Sequence, residues 1–285
     1  MKKRIISGLI FATISIGFIV VGGRALDIFL LLIAIIGLYE FYNAFTKKGY
    51  SPFKPYGLFN IVILALMLYT DGSYMSIYVN VDGIGKFNAF PPLFLLSILA
   101  LLSILVFKHS KYNIVDVTIT LFGGFYVTFL LSYFIKIRNL KGGLYLFFIA
   151  IIGAVAADTF AYFVGKSIGK RKLIPAVSPN KTIAGSVGGF FGATILLTII
   201  GIILIKTNTY TDMAIYHYAI IGAIAGCIAQ IGDLVASSIK RYTGIKDFGK
   251  LIPGHGGILD RIDSYLFVVP VVYYYLLIFG IGGVW

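Results

Sequence analysis

Charge is what this sequence has least of. Only 12% of its 285 residues are charged, against 59% hydrophobic, and a soluble domain cannot cover so much apolar surface with so little polar material. Acid is scarcer than base: 11 Asp and Glu stand against 24 Lys and Arg, a net charge of +13. The single cysteine, Cys227, excludes an internal disulfide framework. Set in an apolar run, it reads as a packing residue. There is no Cys/His spacing of a zinc site, no G-x-x-x-x-G-K-[ST] phosphate loop and no G-x-S-x-G elbow. Internal repeats, low-complexity tracts and any polar segment large enough for a soluble domain are also missing.

Long apolar runs are abundant. A helix needs about 20 apolar residues to cross a bilayer, and candidate spans fall at 5–23, 26–45, 57–70, 89–107, 113–136, 144–164, 184–205, 216–239 and 258–283. The expected fold is therefore an all-α polytopic membrane protein with nine helices. Lys2, Lys3 and Arg4 precede the first run as in a signal peptide, but that run exceeds the usual core of about 7–15 residues. With the N-terminus cytoplasmic and spans alternating, the 24 basic residues split 18 inside to 6 outside, the bias the positive-inside rule requires. The outside set is Arg24, Lys86, Lys136, Arg138, Lys141 and Lys206. The basic excess thus has a topological explanation, and nucleic acid is not an expected partner.

Acidic residues within or beside spans are costly and are functional candidates by default. Asp158, Asp233, Asp260 and Asp263 sit near the inner ends of expected spans, joined by the basic loops 165–183 and 240–257. On a helix Asp233, Ser237 and Lys240 share one stripe, with Arg241 following. Lys246, Asp247 and the Pro253-Gly254-His255-Gly256-Gly257 run cannot continue that helix. Their backbone N–H groups, together with the helix start that follows, offer an anion cradle. Asp260 and Asp263, three apart and flanking Arg261, suit Mg²⁺, which takes one or two carboxylates plus phosphates and water. Upstream, Ser178-Pro179-Asn180-Lys181-Thr182 puts an ammonium among hydroxyls. Glu40 and Asp116 are intramembrane acids without a nearby motif, and His109 and His217 are isolated.

The run Ser237, Ile239-Lys240-Arg241, Lys246-Asp247, Gly249, Ile252-Pro253, His255-Gly256-Gly257, Asp260-Arg261 and Asp263 resembles the phosphatidate cytidylyltransferase (CDP-diacylglycerol synthase) family. Asp158-Thr-Phe-Ala-Tyr162, Gly165, Gly169, Ser178-Pro179, Lys181-Thr182 and Gly232-Asp233 extend the likeness. It implies transfer of CMP from CTP to phosphatidate at the cytoplasmic face of the cell inner membrane by a homodimeric, Mg²⁺-dependent multi-pass enzyme, with a second, monovalent cation alongside. Asp233 and Asp260 would hold the metal with Asp263 in support; Lys240, Arg241 and His255 would complete the catalytic set. Asp158, Ser178, Lys181, Thr182, Ser237, Lys246, Asp247, Gly256, Gly257 and Arg261 would contact substrate. Residues 141–285 would be catalytic and 1–140 scaffold. Ala184 and Ala236 depart from the family, which usually has a polar or acidic residue and Glu there. Rival readings are a related CTP-using enzyme with another lipid acceptor, such as a polyprenol kinase or an archaeal-lipid cytidylyltransferase, and a transporter. Transport calls for broken spans in two corresponding halves, which the sequence does not show.

Overall fold

The computed structural model describes residues 2–69, 78–81, 85–88 and 90–283, with side chains over 6–65 and 91–283. The expected span ends at residues 70 and 89, and the side chains of Lys2, Lys3, Arg4 and Lys86, lie outside the described residues.

The chain runs α1 (Lys2–Val21), α2 (Gly23–Lys47), α3 (Lys54–Tyr69), β1 (Tyr78–Val81), β2 (Gly85–Asn88), α4 (Phe90–Phe107), α5 (Ile114–Gly123), a π-helical segment (Gly124–Phe129) and α6 (Leu130–Arg138). It continues as α7 (Gly143–Ile168), β3 (Lys172–Ile174), β4 (Ser178–Thr182), α8 (Ile183–Lys206), α9 (Ile215–Thr243) and α10 (Leu259–Ile278). Among the described residues six helices are long and apolar enough to cross a membrane: α2, the continuous Ile114–Arg138, and α7 to α10. Shorter apolar helices at Ile6–Val21, Lys54–Ala65 and Pro91–Phe107 stand where three further spans were expected. The protein is all-α and polytopic. Large apolar side chains such as Leu9, Phe107, Phe163 and Ile203 face outward, as helices in lipid require.

Within the expected basic loop 165–183, residues 172–182 form an antiparallel hairpin, pairing Lys172 with Thr182 and Ile174 with Ser178. The turn closes by Val177 N–H donating to the Ile174 carbonyl at 3.1 Å. Pro179 falls between the paired positions Ser178 and Thr182.

The chain forms two compact units, residues 1–136 with 243–259, and residues 137–242 with 260–285. In the first, α2 is the centre. Its Phe41 and Tyr42 are buried against Gly123 and Phe122 of the α5 helix, and the Tyr42 hydroxyl donates to the Thr120 carbonyl at 2.9 Å. Asn113 and Asp116 make a reciprocal capping box at the start of α5, each bond 3.0 Å. Asp116 also accepts from Ser51 N–H at 2.6 Å. This intramembrane acid is therefore a helix cap.

In the second unit α7 and α8 approach closely through small residues. A side chain at Gly185 or Gly189 would meet the Ala161 or Ala157 carbonyl of α7, the small-residue contact that lets helices associate without a hydrophobic driving force in lipid. Gly232 of α9 lies in the same way against the backbone of Asp263 and Ser264 of α10. That approach sets Asp233 beside the start of α10.

Candidate active site

Four elements of the second unit bring their polar side chains together. β4 supplies Lys181, whose Nζ lies 2.5 Å from Asp233 Oδ2 on α9. α9 supplies Lys240, whose Nζ donates to Asp260 Oδ1 on α10 at 2.8 Å. Asp233 and Lys240 share a helix, as the stripe predicted, yet each is paired across to another element. α7 supplies Asp158, which accepts from the Ser264 hydroxyl of α10 at 3.4 Å. Asp263 Oδ1 accepts from Ser264 N–H at 2.8 Å. Asp158, Asp233 and Asp263 interact electrostatically with one another, and Lys181 and Lys240 with them. Asp260, Asp263 and Ser264 are buried, whereas Asp158 opens to a cavity.

That cavity, of about 430 Å³, is lined by Asp158, Tyr162, Lys166, Lys172, Asn180, Lys181, Thr182, Ser186 and Gln230 among others. Its size is that of a small-ligand site, and its lysines favour an anion. Thr182 also caps α8, its hydroxyl accepting from Gly185 N–H at 3.1 Å. Arg241 Nε donates to the Val177 carbonyl beside Ser178 at 3.4 Å, tying α9 to the hairpin. Ser237 is half-buried between Asp233 and Lys240. Arg261 Nε is buried with no hydrogen-bond partner, a donor that an anionic ligand would satisfy.

Among the described residues, no three His, Cys, Asp or Glu side chains stand as a ready metal cage. The cluster does fit a divalent cation completed by substrate. Four carboxylates, from Asp158, Asp233, Asp260 and Asp263, face two ammonium groups, from Lys181 and Lys240. Carboxylate oxygens gathered on converging helices are the donor type a divalent cation takes, with phosphate and water completing the set.

Five expected site residues lie in the first unit, within 243–259. Lys246 and Asp247 are exposed there and Gly257 is buried. The Ser7 hydroxyl donates to the Pro253 carbonyl at 2.7 Å and lies 3.2 Å from His255 Nδ1. Ile252 and Gly256 form a β-bridge across His255. The expectation of an open cradle at the start of α10 is corrected: the N–H groups of Ile258 and Leu259 already donate to Glu40, at 3.1 and 2.9 Å. Gly249 and Gly257 pack against the same carboxylate.

Sequence reasoning missed Ser264, Gln230 and the function of Glu40. Ser264 adjoins Asp263, so the motif itself pointed to it. Gln230 is bound into its helix pair, donating from Nε2 to the Gly226 and Ser186 carbonyls at 2.6 and 3.1 Å. Nothing in the sequence singled it out.

Paired acids and ammonium groups on converging helices, beside a basic cavity, define a membrane-embedded enzyme that handles anionic groups. The chain belongs to the cytidylyltransferase family, whose model matches residues 2–279. It is 35% identical to the phosphatidate cytidylyltransferase of Bacillus subtilis (strain 168), over 98% of this chain and 99% of that one. It is 32% identical to that of Staphylococcus haemolyticus, covering 95% and 97%. The Synechocystis sp. phosphatidate cytidylyltransferase is 29% identical, covering 97% and 96%.

Proposed function

We propose that this enzyme transfers CMP from CTP to phosphatidate, giving CDP-diacylglycerol and pyrophosphate. A phosphate oxygen of the lipid forms a bond to the α-phosphorus of CTP, and the bond from that phosphorus to the bridging β-phosphate oxygen breaks. The lipid phosphate, with a second pKa of about 6, is largely deprotonated at neutral pH and needs no strong base. Catalysis then consists of positioning and charge neutralisation. The observation that carries the reading is the pair of cross-element bridges, Lys181–Asp233 and Lys240–Asp260, which hold cations and carboxylates together beside an anion-sized basic cavity.

Lys181 and Lys240 bind phosphate oxygens, exchanging their carboxylate partners for substrate. Arg241 and Arg261 add donors at the hairpin and on α10, with Ser178, Thr182 and Ser237 nearby. Asp233 and Asp260, supported by Asp263, would hold Mg²⁺, which when bound neutralises triphosphate charge; a monovalent cation alongside belongs to the same reading. His255, held by Ser7, orients the Pro253–Gly257 loop and moves no proton. We further take the enzyme to be a homodimer with nine spans and a cytoplasmic N-terminus, in the bacterial inner membrane.

The test is pyrophosphate release from CTP by the purified enzyme, with lipid product followed by radiolabelled cytidine. Release that requires phosphatidate and yields labelled lipid supports the reading. Release dependent on a polyprenol or an archaeal-type lipid instead, or none with any acceptor, refutes it.

A further inference from the structure

Glu40 lies on the apolar helix α2, 6% exposed, and takes no part in the chemistry set out above. A buried carboxylate is costly unless fully hydrogen-bonded. Here both oxygens are used: Oε1 accepts from Ile258 N–H and Oε2 from Leu259 N–H, at 3.1 and 2.9 Å. These donors open α10. Helix starts leave such N–H groups unsatisfied, and Ser, Thr, Asp or Asn at the cap normally supplies the acceptor. Gly256-Gly257-Ile258-Leu259 carries no side-chain acceptor, so the cap comes from a residue 218 positions away. The carboxylate's charge also complements the positive end of the helix dipole.

The surrounding loop is shaped to admit this group. A Cβ at Gly249 or at Gly257 would clash with the Glu40 carboxylate, at both ends of the irregular segment. Those two glycines, which the sequence offered as part of an anion cradle, instead enclose an anion belonging to the protein. The next residue after the clamped Leu259 is Asp260, whose Oδ1 receives the Lys240 ammonium. A two-point hydrogen bond fixes orientation as well as distance. The clamp therefore fixes the Ile258–Leu259 peptide that directly precedes this carboxylate in the chain.

We propose that Glu40 is a positioning residue for cytidylyl transfer, acting through the Ile258–Leu259 peptide to place Asp260; this rests on the function proposed above. Glu40→Gln keeps the shape but sets an amide NH₂ against one of the two N–H donors. Turnover by the folded variant should fall on the order of 100-fold, the effect of a misplacement of about 1 Å. KM for CTP should change less than about threefold, since binding groups remain. Amide hydrogen exchange, read by mass spectrometry in peptides covering 256–262, should accelerate there and not in α7 or α8.

Gly249→Ala presses on the same carboxylate from the loop side and should reproduce both effects. It gives a second route if Glu40→Gln fails to fold. Faster exchange with turnover within twofold of the unaltered enzyme would show a mere cap and overturn the proposal. So would lost turnover with unchanged exchange, or a KM effect alone. If the unaltered enzyme forms no cytidylyl lipid, the function is wrong, and the exchange arm still reports whether the clamp exists.

Discussion

Lys240 and Asp260 make the most enclosed ion pair among the described residues, their side chains 13% and 3% exposed. Removing one member of such a pair strands the other charge, which costs about 3–5 kcal/mol where burial is complete, whereas replacing both by apolar groups is close to neutral. Asp260→Asn should therefore destabilise the protein by about 3 kcal/mol or less and abolish turnover. Lys240→Met with Asp260→Leu should restore stability and leave turnover absent. Unfolding in a denaturing-detergent titration and pyrophosphate release read the two effects separately. Turnover above a tenth of normal in Asp260→Asn would remove this carboxylate from the mechanism. His255 calls for a different readout. Held through Nδ1 by Ser7, it should act by geometry, so His255→Ala should lower the rate equally at every pH. Loss of a limb of the pH–rate profile near about 6–7 would instead reveal proton transfer.

At the scale of the element, what was legible depended on whether a polar group served its own neighbourhood. The Asp233–Ser237–Lys240 stripe was readable because helical period alone sets it. Asn113-x-x-Asp116 ahead of an apolar run fits a capping pattern, but the sequence alone leaves Asp116 without a motif, and the capping box emerges only in the structure. Glu40 was not legible, since its partners at 258 and 259 are joined to it by folding and not by spacing. The hairpin at 172–182 was hidden by Pro179 and by lysines that read as a plain basic loop. Thr182 ends that hairpin and caps α8 in the same position. Thr182→Val, which keeps the shape and loses the acceptor, should cost about 1 kcal/mol. Thr182→Ser should restore most of it. If Val and Ser variants unfold alike, the cap contributes nothing, and the hydroxyl is left to substrate alone.

Across the whole molecule, orientation is an expectation from counting lysines and arginines, and the second unit supplies the positions at which to test it. Lys141 pairs with Asp212 at 3.2 Å, and Lys141 N–H donates to the Gly282 carbonyl at 2.9 Å. His217 Nδ1 and the Tyr275 hydroxyl lie 2.6 Å apart, joining α9 to α10. The turns after α6 and α8 and the chain end beyond α10 therefore gather at one end of this unit. Helices of 24 to 29 residues run from there, far enough to carry the hairpin with Lys170 and Lys172 to the opposite surface of a bilayer. Of the basic residues Lys136, Arg138 and Lys141, which the alternation of spans puts outside, Lys141 has its acidic partner in Asp212. With Cys227 replaced by Ser, an Asp212→Cys variant should react with a membrane-impermeant thiol reagent in intact cells. A Lys170→Cys variant should react only after the membrane is opened. The reverse pattern would turn the molecule over and put the proposed active site on the side away from cytoplasmic CTP. Labelling of both in intact cells would deny that α7 crosses the membrane at all.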